Sequence, residues 1–158
     1  MERIIDMLEI ENIKNIIDYG IIGLLILMSI LTFTFAIERV MFFHSIDLTQ
    51  YRHKLELELD LTKRLGGIAT IGSNAPYIGL LGTVLAIILT FYIIGDKQDD
   101  INTGEIMKHL ALALKATAAG LVVAIPATVI YNLLLTKVDR IISKWEIAQD
   151  EKESRRYR

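Results

Sequence analysis

The chain has 158 residues, 53% of them apolar and 23% charged, with 17 basic and 19 acidic side chains and no cysteine. That length bounds it to one domain, the near-even charge balance argues against nucleic acid as a partner, and the lack of Cys excludes a disulfide scaffold or a cysteine-based metal site. So apolar a chain with ordinary charge must segregate the two kinds of residue, and runs free of charge rule out both disorder and a simple soluble domain.

Residues 1–18 come first, with Ile4, Ile5, Leu8, Ile13, Ile16 and Ile17 at roughly helical spacing. They are expected to form an amphipathic segment on the outer membrane face. Five acids and only two bases sit there, unlike the basic start of a signal peptide, so the following span is expected to be retained. That first span, 19–37, has no Asp, Glu, Lys or Arg and is bulky and aliphatic, suited to facing lipid.

The segment 38–64 carries Tyr51, Leu55 and Leu59 at i, i+4, i+8 among charges, which predicts a helical stripe. The second span, 65–95, is charge-free for 31 residues, about 46 Å as one helix. That exceeds a hydrocarbon core of about 30 Å, so part should project into water. The segment 96–115 reads as an outer loop and 116–136 as the third span. The tail, 137–158, carries Val138, Ile141, Ile142, Trp145 and Ala148 at three- and four-residue steps, so the third helix should run on.

Lys and Arg number 5 and 7 in segments 38–64 and 137–158, against 2 and 3 in segments 1–18 and 96–115. The positive-inside rule then puts the N-terminus outside and the C-terminus in the cytoplasm. The fold expected is an all-α membrane protein of three transmembrane helices in a single membrane domain, with helices two and three extended into the cytoplasm.

The second and third spans differ in kind from the first. Gly72, Ala75, Gly79, Gly82 and Ala86 form one seam of small residues, and Ala113, Thr117, Gly120, Ala124 and Ala127 another. Small seams let membrane helices approach closely. Packing within one subunit accounts for part of each seam. Two small-faced helices with one bulky helix to cover them also suggest a ring. Pro76 and Pro126 interrupt these helices as kinks or hinges. Asn74 and Asn132 are expected to pin helix ends. Hydroxyls at Ser73, Thr83, Thr90, Thr117 and Thr128 accompany the seams. Such a hydroxyl most often bonds a carbonyl of its own helix. Thr83 and Thr117 stand out by position, as groups able to relay a proton or hold water.

No Asp or Glu lies within a span, and the three His residues lie outside the spans, so no catalytic set is present and no enzyme is expected. If ions move, the titrating carboxylate must come from another chain. No cofactor and no metal are expected.

The stretch from Ala69 to Pro76, followed by Gly79-Leu80-Leu81-Gly82-Thr83-Val84, resembles the second-span signature of the ExbB/TolQ proteins, relatives of the flagellar stator protein MotA. The stretch from Leu114 to Ala127, followed by Tyr131-Asn132, resembles their third-span signature. The resemblance implies a proton-driven motor subunit of the bacterial cytoplasmic membrane. It implies a homopentamer around the single spans of ExbD-like partners, whose Asp takes the proton, and a TonB-like protein energised for outer-membrane uptake. By the same match Thr83 and Thr117 occupy pore-facing positions. A TolQ-like role in the Tol-Pal envelope system, and a passive membrane scaffold without ion flow, are the alternatives. Where many relatives carry a Glu five residues before the third-span Thr, this chain has Leu112, with Glu105 and Asp100 as nearby substitutes. The 38–64 loop is also shorter than in many relatives.

Overall fold

The computed structural model describes residues 2–96 and 103–156. Its elements are α1 (Glu2–Ser45), a short 3-10 turn (Leu48–Gln50), α2 (Lys54–Thr62), α3 (Leu65–Asp96) and α4 (Thr103–Arg156). α1, α3 and α4 each contain a stretch long and apolar enough to cross a membrane: Tyr19–Ser45, Leu65–Ile93 and Ile106–Arg156. About a fifth or less of each most apolar window is buried within the chain, so most of this apolar surface faces outward. That is the surface expected of a membrane protein, where lipid or other chains replace an internal core.

Helix boundaries run past the charge boundaries. α1 passes from Glu2 through the first span without a break, so residues 2–18 are helical and continuous with it. Nothing there stops a helix: the chain's prolines are at 76 and 126. The side chains of residues 2–11 lie outside the described residues. The segment read as an outer loop is helical from Thr103 onward, continuous with the third span. Pro76 and Pro126 lie inside α3 and α4, which continue past them. Each ring removes one N–H, leaving the carbonyls of Gly72 and Val122 without that helical donor. Asn74 and Asn132 are mid-helix and exposed, and pin no helix end; Asn74 Nδ2 donates to Thr70 O at 2.8 Å within its own helix.

α3 and α4 make the most extensive contact, and α1 lies against both. At the end where α2 sits, a larger apolar cluster gathers Phe43 of α1, Leu57 and Leu61 of α2, Ile68 of α3, and Val138 and Trp145 of α4. In α2, leucines alternate with acids at 55, 57, 59 and 61, and residues two apart lie on opposite helix faces. The stripe expected at Leu55 and Leu59 is exposed; Leu57 and Leu61 face inward instead, both fully buried. Of the tail positions, Val138 and Trp145 are buried and Ile141 and Ile142 half-buried against this cluster, whereas Ala148 is exposed. Leu61→Ala is expected to destabilise this end by about 2–4 kcal/mol, as deletion of a buried leucine side chain does. Limited proteolysis should then cut 46–64 much faster than in the parent chain.

Polar contacts fix the α2 end. Trp145 Nε1 donates to Tyr51 O at 3.3 Å, and Lys54 Nζ lies 2.7 Å from Glu146 Oε1. Glu146 holds the Lys54 ammonium above its usual range, so the lysine stays charged at neutral pH and on the alkaline side the pair is lost only as the pH rises through the lysine range. Asp47 accepts from Thr49 N at 3.0 Å and from its hydroxyl at 2.7 Å, which holds the Asp47 carboxyl below its ordinary value. Arg39 is 4% exposed; Nη1 donates to Asp60 O at 2.8 Å and its guanidinium sits 4.6 Å from the Phe42 ring centre. Glu38 is held between Arg39 and Arg64. Arg64 turns the chain from α2 into α3 at φ 66°, a left-handed conformation that side chains other than glycine seldom adopt.

Candidate functional site

The two small seams meet each other. A Cβ placed on Gly79 would come within 2.6 Å of Ala116 O and 3.1 Å of the Gly120 Cα. One placed on Gly120 would meet Ala75 O at 2.6 Å. Backbone thus lies against backbone, an approach only glycine permits. Gly72 faces Thr128, and Gly82 faces Ala116 together with Ile21 of α1. Ala75, Ala113, Ala124 and Ala127 are buried. Ala86 is half-buried and lines a small cavity of about 30 Å³ with Thr90, His109 and Leu112. Most of both seams therefore serves packing of α3 on α4 within one chain. Pro76 is half-buried beside the seam and Pro126 is exposed. Asp100 and the side chain of Glu105 lie outside the described residues.

The hydroxyls separate into two kinds. Ser73 donates to Ala69 O at 3.0 Å, and Thr90 to Ala86 O at 2.7 Å, both within α3. Thr83 and Thr117 reach across the seam, and their Oγ1 atoms lie 2.5 Å apart. Thr83 Oγ1 is also 3.2 Å from Ala113 O and 3.3 Å from Gly79 O. Thr117 Oγ1 is 3.4 Å from Gly79 O. Thr83 is buried at 6% exposure, and Thr117 is half-buried at the edge of the seam.

Two hydroxyls hold two protons, so this geometry has two arrangements. Thr117 donates to Thr83, which donates to Ala113 O or Gly79 O; or Thr83 donates to Thr117, which donates to Gly79 O. Either hydroxyl can be the donor in the pair. The site can pass hydrogen-bond direction across the helix interface without burying a charge. The one-turn offset from Gly79 to Thr83, on the same helix face, places the hydroxyl where the backbones are closest. Sequence spacing placed Thr83 beside one seam and Thr117 within the other; their direct contact depends on the relative height of α3 and α4, which spacing within each helix does not determine. Arg39 is a buried charge that sequence reasoning passed over, although its position just past the first span, among Phe35, Phe42 and Phe43, is the signal that could have found it.

Residues 33–147 match the family described as the MotA/TolQ/ExbB proton channel family. The chain belongs to that family. It is similar to the biopolymer transport protein ExbB of Aquifex aeolicus, 55% identical over 141 residues, covering 89% of this chain and 95% of the relative. It is 46% identical over 135 residues to the biopolymer transport protein ExbB of Helicobacter pylori, covering 85% and 92% of the two chains. The Tol-Pal system protein TolQ of Pseudomonas aeruginosa is 36% identical over 94 residues, 60% of this chain and 40% of that one. The threonine pair, the glycine contacts between α3 and α4, all of α2 and α3, and α4 up to residue 147 fall inside the matched family region, whereas α1 enters it only from residue 33 onward.

Proposed function

We propose that this chain is the ring-forming proton-channel subunit of an ExbB-like motor in the bacterial inner membrane, coupling the proton-motive force to TonB-dependent uptake across the outer membrane. The supporting observation is the Thr83–Thr117 contact, a charge-free relay at the close approach of α3 and α4 in a member of a proton channel family. Both threonines line the proton path, with Thr117, the more exposed, toward the lumen. The chain supplies no carboxylate within its spans, so the proton acceptor is an Asp on a single-span ExbD-like partner enclosed by the ring. Neutralising that Asp lets the partner helix move against an apolar wall, where a charged carboxylate is costly. Outward apolar faces on all three long helices suit a homopentamer in which α1 meets lipid. The excess of Lys and Arg in 38–64 and 137–158 supports a cytoplasmic α2 end and an outer N-terminus.

Greater similarity to ExbB proteins than to TolQ favours uptake over a Tol-Pal role. Native mass spectrometry of the complex extracted from its own host tests the reading. The expected result is five copies with a small single-span, Asp-bearing protein and a TonB-like protein. A monomer or dimer in several mild detergents with no such partner would overturn it. A Tol-type protein in place of TonB would keep the motor and change the pathway.

A further inference from the structure

The α2 end carries two exposed patches of opposite charge. On α4, the half-buried Lys137 and the exposed Arg140, Lys144 and Ile147 recur at steps of 3, 4 and 3, which places them on one helix face, away from the buried Val138 and Trp145. On α2, the outward Leu55 and Leu59 are flanked by the exposed Glu56 and Glu58. Among the described residues, none of these five charged side chains makes an ion pair; those formed are Glu38 with Arg39 and Arg64, and Lys54 with Glu146. Ile147 is 60% exposed, Leu55 66% and Leu59 64%, so each patch couples its charge to an uncovered apolar group.

From these two faces we infer that the basic α4 stripe of one copy of this chain docks on the acidic outer face of α2 in the next copy. Sign, apolar content and height all match. Trp145 Nε1 on Tyr51 O, and Lys54 on Glu146, hold the start of α2 level with positions 145–146 of α4. Copies related by rotation about the membrane normal keep that height, so stripe and acidic face meet at the same depth. The patches are different surfaces of one protomer, so the contact is heterologous, head to tail, and closes into a ring when the rotation closes. Apolar groups inside a charged rim are the ordinary composition of such an interface. An anionic lipid surface is a poorer occupant. The stripe runs ten residues, about 15 Å along the helix axis, so only its Lys137 end can reach headgroups while the rest runs on into water. This proposal deepens the ring reading above and rests on it.

The chain has no cysteine, so paired cysteines can be introduced without background. The test is Leu55→Cys with Ile147→Cys in the full-length chain in native membranes, treated with a short bismaleimide, beside native mass spectrometry of the same preparation. A ladder of crosslinked multimers is expected with both cysteines, and only monomer with either one alone. Lys137→Glu, Arg140→Glu and Lys144→Glu together should lower the crosslinking yield by about tenfold or more, because like charges then oppose each other. Adding Glu56→Lys and Glu58→Lys to that chain should restore the ladder, which also shows that the variant folds. A ring by mass spectrometry without crosslinks overturns this interface, leaves the motor reading standing, and is what a lipid-facing stripe would give. Crosslinking that stops at a dimer overturns the head-to-tail geometry. A monomer in both measurements overturns the ring itself.

Discussion

Gly79→Ala is expected to push α3 and α4 apart and lower the melting temperature of the detergent-solubilised chain by several degrees. The new Cβ would stand 2.6 Å from Ala116 O, a backbone atom that cannot rotate away, and 3.1 Å from Gly120 and Thr117 Cα atoms. Inserting a methyl group into such packing costs about 1–3 kcal/mol. Alanine's better helix propensity returns at most about 1 kcal/mol, so the clash wins. Gly120→Ala should behave alike, since its Cβ meets Ala75 O at the same distance. Gly23→Ala is the control: nothing lies within 4 Å of a Cβ there, and the propensity gain should leave the melting temperature unchanged or slightly raised. Equal stability of Gly79→Ala and Gly23→Ala would show that the seam is not a tight backbone contact.

Thr83→Val should leave the chain folded and assembled while reducing proton-driven uptake by more than about tenfold, the scale expected when a positioned proton-transfer group is lost. Valine keeps the shape of threonine, and Thr117 retains Gly79 O as an acceptor. The stability cost is therefore that of one hydrogen bond, about 1 kcal/mol. Thr117→Val should have the same effect, and the double variant should be no worse than either alone, because the two hydroxyls act as one unit. Thr83→Ser, which restores the hydroxyl, should recover much of the activity. Uptake would be followed in cells matched for expression and assembly, with a protonophore defining the proton-driven part. Normal uptake by an assembled Thr83→Val chain would reduce the pair to a packing contact.

The three long helices were legible because charge is excluded from 19–37, 65–95 and 116–136, and that exclusion needs no knowledge of packing. The small seams were legible for the same reason, since glycine and alanine at heptad steps identify a close helix face. Which face of α2 turns inward was not. Leu55, Leu57, Leu59 and Leu61 offer two equivalent stripes, and only contact with Phe43, Val138 and Trp145 selects the second. Asn74 gave the same kind of error: an amide suited to ending a helix instead bonds Thr70 O in mid-helix. The continuation of α4 through the tail was legible, but its start at Thr103 and both ends of α1 lie outside the charge-free runs, because charge marks where a helix would leave lipid, whereas the helix itself ends only where backbone geometry stops it.

α4 is a single helix of 54 residues, about 80 Å from end to end. From Gly120, where it touches α3 most closely, to Arg156 is about 54 Å. A rigid rod held at that fulcrum magnifies angle into travel: a tilt of about 5° at the threonine pair carries the far tip about 5 Å, one helical turn. Any change in the angle between α3 and α4 at the seam would therefore be read at the tip as a displacement of ångströms. Pro126, six residues beyond Gly120, is where that stroke would be lost if the rod yields.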